Sequence, residues 1–270
     1  MKSVAEMLDL HTVRFLEPDY ASLVNCGEPG VLICEAEPMS DGARMLIDDE
    51  ENPVLFAVRV GTEWVGTSWN FRKPTEQEFV LFAAADGDLY QEPRVAIDDA
   101  MRAHFANILR KEIIPAREDL SPGRIEKISD LLHDVWGTSV PGLCFDACAG
   151  SGVGSMIIRE MGGSPIAYDN DPALLSLGLA TGRLAPENTI CIDGTIASAY
   201  LPNAERGLGI MLGQMYVYTK DLWQSIVEEL IGITAETLIT VATKEEAYWV
   251  REWAKNVDRD LELWENDRDP

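Results

Sequence analysis

Cys144-Phe145-Asp146-Ala147-Cys148-Ala149-Gly150-Ser151-Gly152-Val153-Gly154 reads as a buried strand closed by an acid, then a glycine loop, then a helix from about Ser155. The first turn of a helix carries N–H groups with no intrahelical acceptor, and glycine lets a ligand approach the main chain closely. The stretch therefore predicts a site for a nucleotide-like cofactor. A glycine turn that only packs a crossover is the alternative for the same residues.

The spacing separates two kinds of nucleotide site. A dinucleotide fingerprint places G-x-G-x-x-G directly after the strand, with an acid about 20 residues further on. Here Gly150 to Ser155 gives G-x-G-x-G followed by serine, and Asp146-Ala147-Cys148-Ala149 intervenes before the first glycine. An aspartate at the strand end opposes a pyrophosphate at the helix terminus and favours a ligand with an amino group.

Outward from this stretch the chain alternates. Strands are expected at Leu143–Asp146, Ile166–Asp169, Thr189–Asp193, Gly207–Leu212 and Thr237–Ala242, with one last strand at Leu261–Trp264. Helices are expected at Ser155–Met161, from Asp171-Pro172 onward, at Leu222–Leu230 and at Glu245–Ala254. Strands separated by helical lengths imply a doubly wound, mostly parallel α/β sheet with its ligand at the C-terminal edge. Before it, Ser121 as N-cap with Pro122 predicts a helix through Ile125, Ile128, Leu131, Leu132 and Val135, broken at Gly137.

Residues 1–115 read as a smaller α+β domain and 116–270 as the cofactor domain. The first contains an amphipathic start at Val4, Met7 and Leu8, strands at Val31–Cys34 and Phe79–Phe82, and a hairpin of Val54–Val60 with Trp64–Trp69. Trp64, Trp69, Phe71, Phe79 and Phe82 are expected to pack the core or cross-strand pairs. A helix over 97–114, capped by Asp98 or Asp99 and ended by Pro115, carries Met101, Phe105, Ile108 and Leu109, with His104 packed beside them.

Acids recur at the ends of three successive strands, at Asp146, Asp169 and Asp193, and with the Gly-Ser-Gly loop this pattern resembles the class I S-adenosylmethionine-dependent methyltransferases. The resemblance covers about residues 120–255 and implies a Rossmann-like fold with S-adenosyl-L-methionine as cofactor. It assigns Asp146, Cys148, Gly150, Ser151, Gly152 and Gly154 to the methionine part of that cofactor. Asp169, with Asn170 beside it, falls to the ribose hydroxyls, and Ile192, Asp193 and Gly194 to the adenine. Asp171 is better explained as the cap of the next helix.

One segment departs from the family. Members that methylate exocyclic amines of bases carry [D/N]-P-P-[Y/F] after the fourth strand, where this chain has Gly213-Gln214-Met215-Tyr216. Gln214 and Tyr216 are the candidate substrate residues, or else ordinary loop residues at a sheet edge. No catalytic base can be picked out.

The net charge is −24, with 13 Lys+Arg against 26 acids in residues 1–140 and 9 against 20 in 141–270. Nucleic-acid binding relies on basic surface, and neither half has an excess, so a nucleic acid is the less favoured partner. Adaptation to a salty cytoplasm would give the same acidity. The five cysteines and three histidines include no C-x-x-C pair and predict no metal site. No apolar run approaches a membrane span, and acids occupy the place of a secretory signal, so a cytoplasmic location is expected. The expectation is a methyltransferase acting on a protein side chain or a small molecule. Its alternatives are an RNA methyltransferase whose partner supplies basic surface, and a non-catalytic module that binds the cofactor.

Overall fold

Two five-stranded sheets organise the chain in the computed structural model, one in each of two units, Met1–Phe105 and Ala106–Pro270. The structure describes residues 1–25, 42–118, 120–213, 215–266 and 268. The expected strand at Val31–Cys34 lies outside the described residues. The division between the two units falls at 105/106, inside a helix that runs from Arg94 to Glu112.

The first unit opens with α1 (Val4–Met7), whose Ser3 and Glu6 form a capping box, followed by β1 (Arg14–Phe15) and α2 (Ser22–Asn25). Then come β2 (Ala43–Ile47), β3 (Pro53–Val60), β4 (Glu63–Ser68), α3 (Glu76–Ala84), β5 (Asp88–Gln91) and α4 (Arg94–Glu112). The sheet order is β1-β4-β3-β2-β5. β3 and β4 form the expected hairpin, turning at Gly61 with φ of 63°. Phe56 and Trp69 stack in its core, with centroids 5.4 Å apart. His104 packs between Phe15 and Phe105, in keeping with a core histidine.

Two expectations here are corrected. Phe79-Val80-Leu81-Phe82 lies in α3 and not in a strand, because the Thr75–Glu78 capping box starts a helix just before it. Leu81 turns inward while Val80 is 62% exposed, a division that four apolar residues in a row do not reveal. α4 starts at Arg94 after Pro93, so Asp98 and Asp99 lie within it. There they pair with Arg94 and Arg102 instead of capping.

The second unit begins its α/β alternation with α5 (Arg124–Trp136). Ser121 and Pro122 do not cap it. Gly123 has φ of 78° and the Arg124 N–H returns to the Ser121 carbonyl, so Ser-Pro-Gly makes a type II turn and the helix starts after it. The core sequence is β6 (Leu143–Ala147), α6 (Val153–Glu160), β7 (Ser164–Asp169), α7 (Pro172–Thr181), β8 (Thr189–Cys191), β9 (Ala204–Gly209), α8 (Lys220–Gly232), β10 (Thr234–Ile239) and α9 (Lys244–Ala254). All neighbouring strands are parallel and the order is β10-β9-β6-β7-β8. This is the Rossmann-like, doubly wound arrangement expected from the alternation.

The sheet is buried on both faces. Ile128, Leu132, Val140, Cys144, Ile157 and Leu208 form a core with α5 and α6 on one face. Leu212, Val227, Ile231, Val250 and Trp253 form a second core with α8 and α9. Burying apolar side chains of this size stabilises the fold by about 1.5–3 kcal/mol each. α7 joins Leu175 and Leu179 to Ala106, Ala167 and Leu184 in a third cluster.

β9 and β10 each begin three residues earlier than expected. Glu205 accepts from the Leu143 N–H and Arg206 pairs with Glu236, so polar residues at the sheet margin hide the strand starts. Met211 ends the run with φ of 48°, and Ile210-Met211-Leu212 lies past the strand. β8 stops at Cys191 because Asp193 already caps the 3₁₀ stretch Gly194–Ala199. Leu261–Trp264 is not a strand. Leu261 packs against the α8–α9 core, and Arg259 donates to the carbonyls of Thr234 and Ala235.

Candidate functional site

The sheet order places the topological switch point between β6 and β9, since β7 and β8 extend one way and β9 and β10 the other. Ligands of such sheets sit outside the carboxyl ends of the strands at that point. The loops that follow β6, β7 and β9 therefore define the candidate site.

At the end of β6, Asp146 is 3% exposed, and its Oδ2 accepts both the Ser155 N–H and the Ser155 hydroxyl at 2.7 Å. The serine in the sixth place of the loop motif is thus the residue that satisfies the strand-end acid. Burial pushes the Asp146 carboxyl up to about 6, against the pull of the two Ser155 hydrogen bonds. Cys148 follows with φ of 50°, and burial together with Asp169 raises its thiol to about 12. Its surroundings thus favour the neutral thiol over the thiolate that a nucleophile needs.

The glycines divide by what fills the place of a Cβ. At Gly152, with φ of 81°, a Cβ would lie 2.3 Å from Leu184 Cδ2; at Gly154 it would lie 2.8 Å from Asp146 Oδ1 and from Leu208 Cδ2. Those two glycines are demanded by packing within the protein. Gly150 differs. Its φ is 54°, yet a Cβ there would meet nothing nearer than Leu174 Cδ1 at 4.0 Å, so it borders open space.

The loop is tied to the end of β7. Gly150 N–H donates to Asp169 Oδ2 at 2.9 Å, Ala149 N–H to the Tyr168 carbonyl at 3.1 Å, and Gly152 N–H back to the Ala149 carbonyl. Asp169 Oδ1 takes the Asp171 N–H at 2.8 Å. Asn170 N–H also acts on this carboxylate, which can accept about four hydrogen bonds and so keeps capacity for a ligand. Burial raises the Asp169 pKa, the backbone donors from Asp171 and Gly150 working against it. Ser151 N–H meets no acceptor among the described residues. Asp171 caps α7 by accepting from Ala173 and Leu174 N–H, as expected, while Asn170 beside it is exposed.

Past β8, Ile192 is 2% exposed and its N–H donates to the Asp169 carbonyl. Asp193 is exposed, with Oδ1 held by the N–H and hydroxyl of Thr195 at 2.9 Å. Gly194 is buried against Ile226 and Tyr168. Asp146, Cys148, Gly150 and Asp169 thus come together, and Ile192 joins them through the main chain. Past β9, Met211 has its N–H on Thr240 Oγ1 and Met215 its N–H on buried Glu246. Tyr216 and Tyr218 stack at 5.1 Å with planes 8° apart, 46% and 81% exposed. Gln214 lies outside the described residues.

Three participants escape a sequence reading: Ser155, Leu184 in the notch of Gly152, and Arg183, whose Nε–H donates to the Ser151 carbonyl. Only Ser155 has a sequence signal, its break with the dinucleotide spacing. A cavity of about 450 Å³ lined by Thr195, Ser198, Ser225, Glu228 and Ile233 lies beside the start of β10, away from the strand ends that carry these groups. No group of metal-binding side chains occurs among the described residues, and no helix is long and apolar enough to cross a membrane.

No protein-family model matches the chain, and no curated protein matches it. Among solved structures it is similar to a precorrin-6y C5,15-methyltransferase from Geobacter metallireducens, at 13% identity over 55% of this chain and 77% of that one, with a TM-score of 0.42. A precorrin 8w decarboxylase from Methanobacterium thermoautotrophicum matches at 15% identity over 56% and 80%, also with a TM-score of 0.42. TrmN from Thermus thermophilus matches at 16% identity over 50% and 44%, with a TM-score of 0.37. These likenesses are distant, and the functional reading rests on the geometry of the loops.

Proposed function

We propose that the chain is an S-adenosylmethionine-dependent methyltransferase whose cofactor lies across the C-terminal ends of β6 and β7. The junction of Gly150 with Asp169 carries this reading. A left-handed glycine with open space before it donates to a buried carboxylate that keeps acceptor capacity. Paired ribose hydroxyls match such a carboxylate, and the unpaired Ser151 N–H suits the carboxylate of a methionine moiety.

Bound there, S-adenosylmethionine supplies a methyl group already activated on a sulfonium. The chain's own residues bind and orient. Asp169 is the ribose acceptor. Asp146, ionised by proximity to an ammonium group, balances the amino end. Asp193 uses its remaining oxygen toward the adenine amine, with Ile192 and Gly194 shaping that wall. Alignment of the acceptor is the main contribution such a site makes to rate. The stacked Tyr216 and Tyr218, on the β9 side of the switch point, are the residues for it.

A protein side chain or small molecule is the proposed acceptor, because a chain of net charge −24 repels a polyanion. Calorimetry with S-adenosylhomocysteine tests the cofactor. Tritium transfer from labelled S-adenosylmethionine into a lysate, split into protein, RNA and small molecules, tests the rest. Label in protein or small molecules is the expected result. Label in RNA alone overturns the acceptor class, and tight binding with no labelled fraction overturns methyl transfer.

A further inference from the structure

Arg183 is a buried cation whose part in the site has so far been only its bond to the Ser151 carbonyl. It is 8% exposed and sits one residue past the C-cap glycine of α7. Its Nε–H donates to the Ser151 carbonyl at 2.9 Å, and Nη1 pairs with Glu118 Oε2 at 2.7 Å. Nη2 is buried with no hydrogen-bond partner among the described residues. Burying a guanidinium with one nitrogen unpaired costs stability that an apolar side chain in the same place would not. Packing alone therefore does not account for it.

The neighbourhood is cut to admit this contact. Gly178 of α7 has no side chain where a Cβ would lie 2.8 Å from the Ser151 carbonyl oxygen. Leu184 fills the notch shared by Gly152 and Gly178, where Cβ atoms would come within 2.3 and 2.5 Å of it. Arg159 donates to the carbonyls of Arg183 and Gly182, fixing the turn that presents the guanidinium. Glu118 is held in place as well, since the segment before it runs along α7. There Ala116 N–H meets the Ala173 carbonyl, and the Ser176 hydroxyl meets the Ile113 carbonyl.

Fixing the Ser151 carbonyl has a direct consequence at the ligand side. The Ser151–Gly152 peptide is clamped at both ends, its oxygen by Arg183 and its N–H by the Ala149 carbonyl. Two peptides back, Ala149–Gly150 is clamped by Asp169 through Gly150 N–H. The Gly150–Ser151 peptide, which carries the Ser151 N–H, is held between these two clamped peptides, and that N–H has no acceptor among the described residues. We propose that Arg183 is a positioning residue for the glycine loop, holding Ser151 so that its N–H is preorganised for the cofactor, and that Glu118 sets the guanidinium in register.

This rests on the methyltransferase reading, and the test keeps the two apart. Arg183→Lys retains the charge, but an ammonium cannot reproduce the side-on Nε–H bond and the Glu118 pair together. S-adenosylhomocysteine affinity is expected to fall at least tenfold in Arg183→Lys and further in Arg183→Met, with a smaller fall in Glu118→Gln. Arg206→Met, which loses the Glu236 pair at the start of β9, far from the loop, serves as the control for lost stability. Amide resonances of Gly150, Ser151 and Gly152 in the ligand-free protein should move in both Arg183 variants.

Affinity within twofold of wild type in Arg183→Met overturns the proposal, as does an equal loss in Arg206→Met at matched stability. Absence of binding by the wild type overturns the methyltransferase reading instead. The amide resonances then decide the positioning claim alone, and unmoved resonances overturn it.

Discussion

The two sides of the switch point are built to different standards. On the β6–β7 side, main-chain groups from Ala149 to Gly152 are tied to Tyr168, Asp169, Arg183 or one another, and Asp146 is sealed by Ser155. On the β9 side, Met211 takes a left-handed turn and Tyr216, Val217 and Tyr218 stand exposed. A rigid half suits a ligand that never varies, and an open aromatic half suits an acceptor that the rest of the chain must help define. This difference is why the proposed cofactor rests on several fixed groups, while the proposed acceptor class rests on net charge.

The contrast is sharpest between two glycines of the rigid half. Gly152→Ala must displace Leu184 and hold φ of 81°, so strain and overpacking together should cost about 2–5 kcal/mol in chemical denaturation. Gly150→Ala pays only for its left-handed φ, about 1–2 kcal/mol, yet its new methyl group enters the open space. It should therefore lose cofactor-analogue affinity out of proportion to its stability. Equal stability losses in the two variants would erase the distinction between a packing glycine and a site glycine.

Asp146 gives a pH-dependent version of the same comparison. Its folded pKa of about 6 lies above the ordinary carboxylate value, so the stability tied to its protonated form is whole below about pH 4. That stability is lost as pH rises through about 6. Asp146→Asn keeps an acceptor for Ser155 and lacks this loss. Denaturation curves from pH 4 to 8 should shift in favour of the variant by on the order of 3 kcal/mol. The charge of Asp169 is one of the causes of the Asp146 shift, so part of this difference is the coupling between the two acids. A pH-independent difference would contradict the burial argument.

The smallest effect is expected on the open side. Tyr218 is 81% exposed, so Tyr218→Ala should change stability by less than about 0.5 kcal/mol. Cofactor-analogue affinity should stay unchanged while methyl transfer to the acceptor slows. A loss of analogue affinity would move this tyrosine to the cofactor side.

The chain's alternation was legible because its strands are apolar runs of the right length and Asp171-Pro172 marks a helix start unambiguously. The β6 stretch was legible for the same reason, its acid and glycines being adjacent in sequence. What escaped depends on partners far along the chain. Gly152 and Gly154 look like ligand glycines until Leu184 and Leu208 are seen against them. Arg183 reaches Ser151 from 32 residues away. Strand limits at β9 and β10 were misplaced because Glu205, Arg206 and Glu236 satisfy one another or a neighbouring N–H at the margin, which no apolar pattern records. Ser-Pro-Gly before α5 suits both a helix cap and a type II turn, and the left-handed Gly123 decides for the turn.

The central claim is that Asp169, braced by Gly150, receives the ribose of S-adenosylmethionine. Calorimetric titration of S-adenosylhomocysteine into the wild type and into Asp169→Asn tests it most directly. The amide keeps one acceptor oxygen and loses the charge and the second acceptor. Affinity should fall at least 100-fold, about 2.7 kcal/mol, in a protein that remains folded. Equal affinity in the two proteins would contradict the account.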